Sequence, residues 1–144
     1  MYTEAQAVAE ALGLGNRRMT TPLRLADTIV GGLPVESLDH LARTICPQDS
    51  EFKHSFVPRA TLARRRKAHA LRLTADESDR LARIARVWAH AVDVWKGEPE
   101  ARDFLFRPHQ LLEGHRPIDV ALASGTGADV VDQVLGRLEY GSAV

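Results

Sequence analysis

The chain has 144 residues, 44% of them hydrophobic, with 19 basic and 19 acidic side chains. This is enough apolar material for one compact domain or two very small ones, and too much for a disordered chain. One cysteine, Cys46, excludes an intrachain disulfide. No apolar run approaches the roughly 18 residues of a membrane span. The N-terminus shows no charged stretch leading into an apolar one, so no signal peptide, no membrane contact and a reducing, cytoplasmic location are expected.

The zero net charge hides an asymmetry. Residues 53–86 carry ten basic and three acidic side chains, a net of +7, while residues 1–52 stand at −3 and residues 87–144 at −4. A basic middle between acidic flanks points to an anionic partner for the middle. Sixteen of the basic residues are Arg, whose planar fork suits phosphate and base edges.

In chain order, Glu4 to Leu14 reads as a short Ala-rich helix ending at Gly13 and Gly15, Asn16 to Thr21 as a polar turn, and Leu23 to Ile29 as a second short helix broken by Gly31-Gly32. Pro34 opens a helix whose Val35, Leu38, Leu41, Ala42 and Ile45 recur at three- and four-residue spacing, stopping before Pro47. Gln48 to Phe56 holds at most one or two helical turns around Phe52. Pro58 starts a basic helix running to about His69, and Leu71-Arg72-Leu73 connects it onward.

Thr74-Ala75-Asp76-Glu77 is a capping box that opens a long helix. Leu81, Ile84, Ala85, Trp88, Val92 and Trp95 lie on one face of it, and Gly97 ends it. Further helices are expected from Pro99 to Phe106, from Pro117 to Ala123, and from a cap at Thr126 to Gly141, the last with Val130, Val131, Val134, Leu135 and Leu138 inward. No segment alternates like a strand and no hairpin turn occurs. The fold class is therefore all-α, divided into an N-terminal helical extension (1–32), a helix-turn-helix-like domain (33–86) and a C-terminal helical domain (87–144).

The basic helix is the sharpest feature. Pro58 to Lys67 holds five basic residues in ten, with Leu62 inward and Arg59, Thr61 and Arg66 able to share an outer face. A short helix with Arg and Thr near its start, preceded by a turn and a helix, suits a major groove, where Arg59 and Thr61 would meet bases or phosphates and Arg64, Arg65, Arg66 and Lys67 would neutralise phosphates. A basic solvated face is the alternative. Trp88 and Trp95 read as core or as a homodimer seam. His109, Glu113, His115 and Arg116 form a polar loop with no third ligand of zinc spacing, so partner contact is favoured over metal or catalysis. Cys46 reads as a small buried hydrophobe, and Gly125-Thr126-Gly127 as helix capping, since the lysine and preceding strand of a phosphate loop are missing. No enzyme motif, catalytic residue, metal site or cofactor is expected.

Two stretches resemble the Xre/MbcA/ParS antitoxin family. Thr61-Leu62-Ala63-Arg64-Arg65-Arg66, followed by Leu73 to Leu81, is similar to its recognition-helix run and the start of its long helix. Leu112, Gly114, Arg116-Pro117, Gly127, Val131, Leu135, Arg137, Glu139 and Gly141 resemble its toxin-binding pattern. The resemblance covers roughly residues 33–141. It implies an antitoxin that inhibits a cognate RES-type toxin, one that consumes NAD or uses it for ADP-ribosylation, by blocking the NAD pocket with its C-terminal domain. It also implies a homodimer whose helix-turn-helix part binds operator DNA and autoregulates the operon. Carried over by position, the toxin side takes Gly114, Arg116, Pro117, Arg137, Glu139, Tyr140 and the tail to Val144, joined by His109 from the polar loop; the DNA side takes Arg59, Thr61, Arg64, Arg65 and Arg66, joined by Lys67 from the basic run. A dimeric transcription regulator without a toxin partner is the alternative.

Overall fold

The computed structural model describes residues 4–15 and 21–141. Among them are eight α-helices and no strand: α1 (Glu4–Ala11), α2 (Pro22–Val30), α3 (Val35–Ile45), α4 (Arg59–Lys67), α5 (Ala75–Trp95), α6 (Glu98–Phe106), α7 (Pro117–Ala123) and α8 (Gly125–Gly141). The all-α class is as expected. Two compact units form, residues 1–85 and 86–144, with α5 running from the first into the second.

In the first unit α3 is the central helix. Val35, Leu38, Leu41, Ala42 and Ile45 are all buried, as the spacing of its apolar residues predicts. Helix α1 adds Ala5, Val8, Ala9 and Ala11 to this core, and Leu12 just after it is fully buried. Its end is closed by the Leu14 N–H donating to the Ala9 carbonyl and the Gly13 N–H to that of Glu10. Gly13 sits at φ +68°, and a Cβ there would meet the ring of His40, whose Nδ1 lies 3.0 Å from the Ala11 carbonyl. Glycine is needed on both counts. Most of the polar turn expected at Asn16 to Thr21 lies outside the described residues, but Thr21 caps α2, its Oγ1 accepting from the Arg24 N–H.

The connectors on either side of α3 and α4 zip together. Leu73 N–H donates to the Leu33 carbonyl, Val35 N–H to that of Leu71, and Leu33 N–H to the buried Ser78 hydroxyl. Gly32, at φ +95°, allows the close approach of the Leu73 carbonyl. The segment Gln48 to Phe56 contains a single 3₁₀ turn, Phe52–Ser55, with Phe52 and Phe56 stacked edge to face at 5.6 Å.

In the second unit α6, α7 and α8 enclose Ala101, Phe104, Leu105, Ile118, Ala121, Ala128, Val131, Val134 and Leu135, with Trp88 of α5 also buried. Arg102 lies over the Trp88 ring, and His90 Nδ1 contacts the Asp132 carboxylate at 3.1 Å.

Three expectations are corrected here. Trp95 does not continue the buried face of α5: it is 40% exposed, packed at one side on Phe104. It is the last residue of α5, and Lys96 turns left-handed directly after it, so it has no further helical turn to lie under. Val130 is 38% exposed, because Ala128, Val131, Val134 and Leu135 already define the inner line of α8 and residue 130 falls off it. The cap of α8 is Ser124, not Thr126: its Oγ accepts from the Gly127 N–H at 2.9 Å, and the helix starts two residues earlier than a Thr126 cap would set it, at Gly125.

Candidate functional site

Helix α4 is held by one apolar side chain, Leu62, and by ion pairs to acids around it. Arg65 donates to Glu77 at 2.5 Å, Arg66 to Asp39 at 3.0 Å, and Arg59 pairs with Glu51. These pairs differ in kind. The Arg65 and Glu77 side chains are only 14% and 15% exposed, whereas Arg59 and Glu51 are mostly in solvent. Glu77 also accepts from the Thr74 N–H, while Thr74 Oγ1 accepts from the Glu77 N–H, so the capping box and the Arg65 contact share one carboxylate. Burial alone would raise the Glu77 carboxyl. The hydrogen bonds from Arg65 and Thr74 and the Arg65 charge outweigh burial and hold it below its ordinary value.

The six basic-helix candidates therefore fall apart. Arg59 and Arg66 lie on one flank, seven residues apart and tied to acids, Thr61 is half-buried on the other, and Arg65 faces the protein. Only Arg64 and Lys67 stand on the outer face with no ion-pair partner among the described residues. The expectation that Arg59, Thr61 and Arg66 share an outer face is thus corrected: at 100° per residue Thr61 is turned well away from the other two. The basic middle is also less free than its net charge suggests. Arg72 donates to the Gly32 carbonyl, Arg80 to that of Phe56, and Lys53 pairs with Asp39.

In the second unit the residues His109 to Arg116 form a closed loop around a short 3₁₀ turn, Gln110–Leu112. His109 organises it. Its N–H donates to the His115 carbonyl, its carbonyl accepts from Gly114, its Nδ1 accepts from the Leu111 N–H, and its ring sits on Phe104 at 5.5 Å. Glu113 and Gly114 both turn left-handed, at φ +56° and +84°. Pro117 is buried at the start of α7. Arg116 grips Asp119 with two parallel hydrogen bonds, 2.7 and 2.9 Å, and lies over the Phe106 ring. That bidentate contact is the main reason the Asp119 carboxyl is lowered; partial burial opposes it, and the charges of Arg116 and His115 assist. His109, Gly114 and Pro117 thus build the turn, with Arg116 at its rim.

Arg137, Glu139 and Tyr140 are exposed on the last turns of α8, Tyr140 by 74%. Val144 lies outside the described residues. Sequence reasoning missed Val130 and Gln133, which with Arg137 and Tyr140 form an exposed stripe at helical spacing along α8. The signal was present: the inner line of α8 needs only Ala128, Val131, Val134 and Leu135, and Val130 and Gln133 fall on the side away from it.

No group of three or more His, Cys, Asp or Glu that could hold a metal ion exists among the described residues. Among the described residues no helix is long and apolar enough to cross a membrane.

Comparison with known proteins defines the class. Residues 24–86 match the antitoxin Xre-like helix-turn-helix domain, and residues 90–141 match the antitoxin Xre/MbcA/ParS C-terminal toxin-binding domain. The protein is thus an antitoxin with a helix-turn-helix domain and a toxin-binding domain. The chain is 37% identical to "Antitoxin Xre" of Yersinia enterocolitica serotype O:8 / biotype 1B over 142 residues, spanning 96% of this chain and 92% of that one. It is 39% identical over 71 residues to "Antitoxin Xre" of Photorhabdus laumondii subsp. laumondii, 49% of this chain and 47% of that one. The chain belongs to the Xre antitoxin family.

Proposed function

We propose that this antitoxin neutralises a RES-type, NAD-consuming or ADP-ribosylating toxin in the cytoplasm, that it does so without catalysis of its own, and that the end of α8 covers the toxin's NAD pocket. The observation that carries this reading is the stripe Val130, Gln133, Arg137 and Tyr140. A large exposed aromatic beside a cation, on a helix of the toxin-binding domain, is the composition of an interface anchor. Arg116 and the rigid loop held by His109 border the same domain's surface and suit a second point of contact. In the same reading the chain is a homodimer and represses its own operon through α4.

The test is co-expression with the adjacent toxin, reading growth and cellular NAD together. Wild-type antitoxin should restore both. Arg137→Glu combined with Tyr140→Ala should lose most of the rescue while the purified variant keeps its helical circular dichroism. Full rescue by a chain ending at Gly136 would overturn the role given to α8. A toxin that arrests growth with NAD unchanged and no protein ADP-ribosylated would overturn the assignment of its chemistry.

A further inference from the structure

The recognition helix carries a division of labour. Around α4, Leu62 marks the inner side, and Arg65 lies close to the same side. Ala60, Ala63, Arg64 and Lys67 fall opposite, and all four are exposed. The outer face is thus two methyl groups flanked by two long cations, shallow enough for close approach to a groove floor. We propose that Arg64 and Lys67 are the DNA contacts of α4 and that Arg65 is a positioning residue, which locks the helix through Glu77 and touches no phosphate. This rests on the reading that α4 binds DNA.

Three observations carry it. The Arg65 side chain is as buried as its partner carboxylate, so its guanidinium is not offered to a ligand. Glu77 Oε1 is held in turn by the Thr74 N–H, at the start of α5. That carboxylate therefore joins the orientation of α4 to the first turn of α5. Finally, α4 has one buried apolar side chain, so hydrophobic packing alone leaves its angle weakly specified and an ionic lock has something to decide.

The two roles predict different salt behaviour. A residue that neutralises a phosphate contributes about −0.9 to the slope of log K against log salt concentration. A residue that only holds the helix lowers affinity by the fraction of molecules correctly set, equally at every salt concentration. The probes are a duplex of the DNA immediately upstream of the antitoxin's own gene and a mixed-sequence duplex of equal length, titrated from low to moderate salt with full-length protein. Arg64→Ala and Lys67→Ala should each flatten the wild-type slope by about 0.9. Arg65→Ala should weaken binding, by about tenfold if one molecule in ten keeps α4 in place, and leave the slope unchanged.

Glu77→Gln separates positioning from general damage. Glutamine retains the capping box but loses the charge that holds Arg65. Removing a carboxylate beside a DNA-binding surface would by itself strengthen binding to a polyanion, so a weakening to the level of Arg65→Ala, with the double variant no weaker still, is expected only of a lock. Arg65→Lys, which keeps the charge, should recover part of the loss. A slope flattened by Arg65→Ala as much as by Arg64→Ala, or binding tightened by Glu77→Gln, would overturn the proposal while leaving DNA binding by α4 in place. Wild-type protein that binds neither duplex at low salt would overturn the DNA reading, and this proposal with it.

Discussion

Glu77 shows how much one side chain can be asked to do. Its N–H and one carboxylate oxygen complete the capping box with Thr74, and that same oxygen receives Arg65. A carboxyl whose pKa is lower in the folded than in the unfolded chain adds stability above its unfolded value, about 4.3 for glutamate. That contribution is lost as the pH falls through the folded-state value. The difference in urea midpoint between wild type and Glu77→Gln should therefore be full at pH 6 and shrink below about pH 4.3. A difference constant down to pH 3 would show that the Arg65 contact adds no stability.

Gly127 makes a second residue-level case, and here close approach rather than a special dihedral is at issue. A Cβ at this position would collide with the Val120 carbonyl oxygen, where α7 and α8 meet. Alanine favours an exposed helix interior by about 1 kcal/mol over glycine. Against backbone that cannot move aside the sign reverses, so Gly127→Ala should destabilise by about 1–3 kcal/mol, read from thermal or urea unfolding.

At the scale of elements, the helices end more tellingly than they begin. Helix α4 closes with His69 at φ +55°, its N–H donating to the Arg66 carbonyl and that of Ala70 to Arg65. This is the arrangement usually closed by glycine. The left-handed conformation costs a residue with a Cβ about 1–2 kcal/mol, more than the extra chain entropy glycine loses on folding, about 0.5–1 kcal/mol. His69→Gly should raise stability by up to about 1 kcal/mol, read as a higher urea midpoint at unchanged slope. A drop would mean that the histidine ring makes a contact worth more than the strain.

Elements also show where sequence reasoning held and where it failed. The apolar stripe of α3 and the capping box of α5 were legible because both are local: one is a period of 3.6, the other a four-residue motif. The cap of α8 was misassigned because Ser124 and Thr126 are both competent caps in a Ser-Gly-Thr-Gly run, and a cap is chosen by where the preceding helix releases the chain. Gln48 to Phe56 could only be bounded, since a 3₁₀ turn resting on Phe52 and Phe56 has too few residues to show a period.

For the whole molecule, two units of different job predict separable phenotypes. Arg64→Glu should abolish repression by the antitoxin and leave rescue from the toxin intact. The Arg137→Glu, Tyr140→Ala pair should lose rescue and leave a purified protein that still binds upstream DNA. Joint loss in both variants, with folded protein, would mean that the two activities share one surface. A promoter fusion beside the growth assay reads both outcomes.

By itself the sequence determined the all-helical class, most of the helix order and the family, because helical periods, prolines at first turns and terminal glycines act over a few residues. It also placed the basic helix and the end of α8 as the two regions of interest. Only the tertiary structure decided which charges are free. Asp39, Glu51 and Glu77 lie 27, 8 and 12 residues from the arginines they hold, and no local pattern reveals a pairing set by how helices fold together. The same reason exposed Trp95 and Val130 and buried Arg65: a helical period says which residues share a side, and only the neighbouring elements say which side is covered.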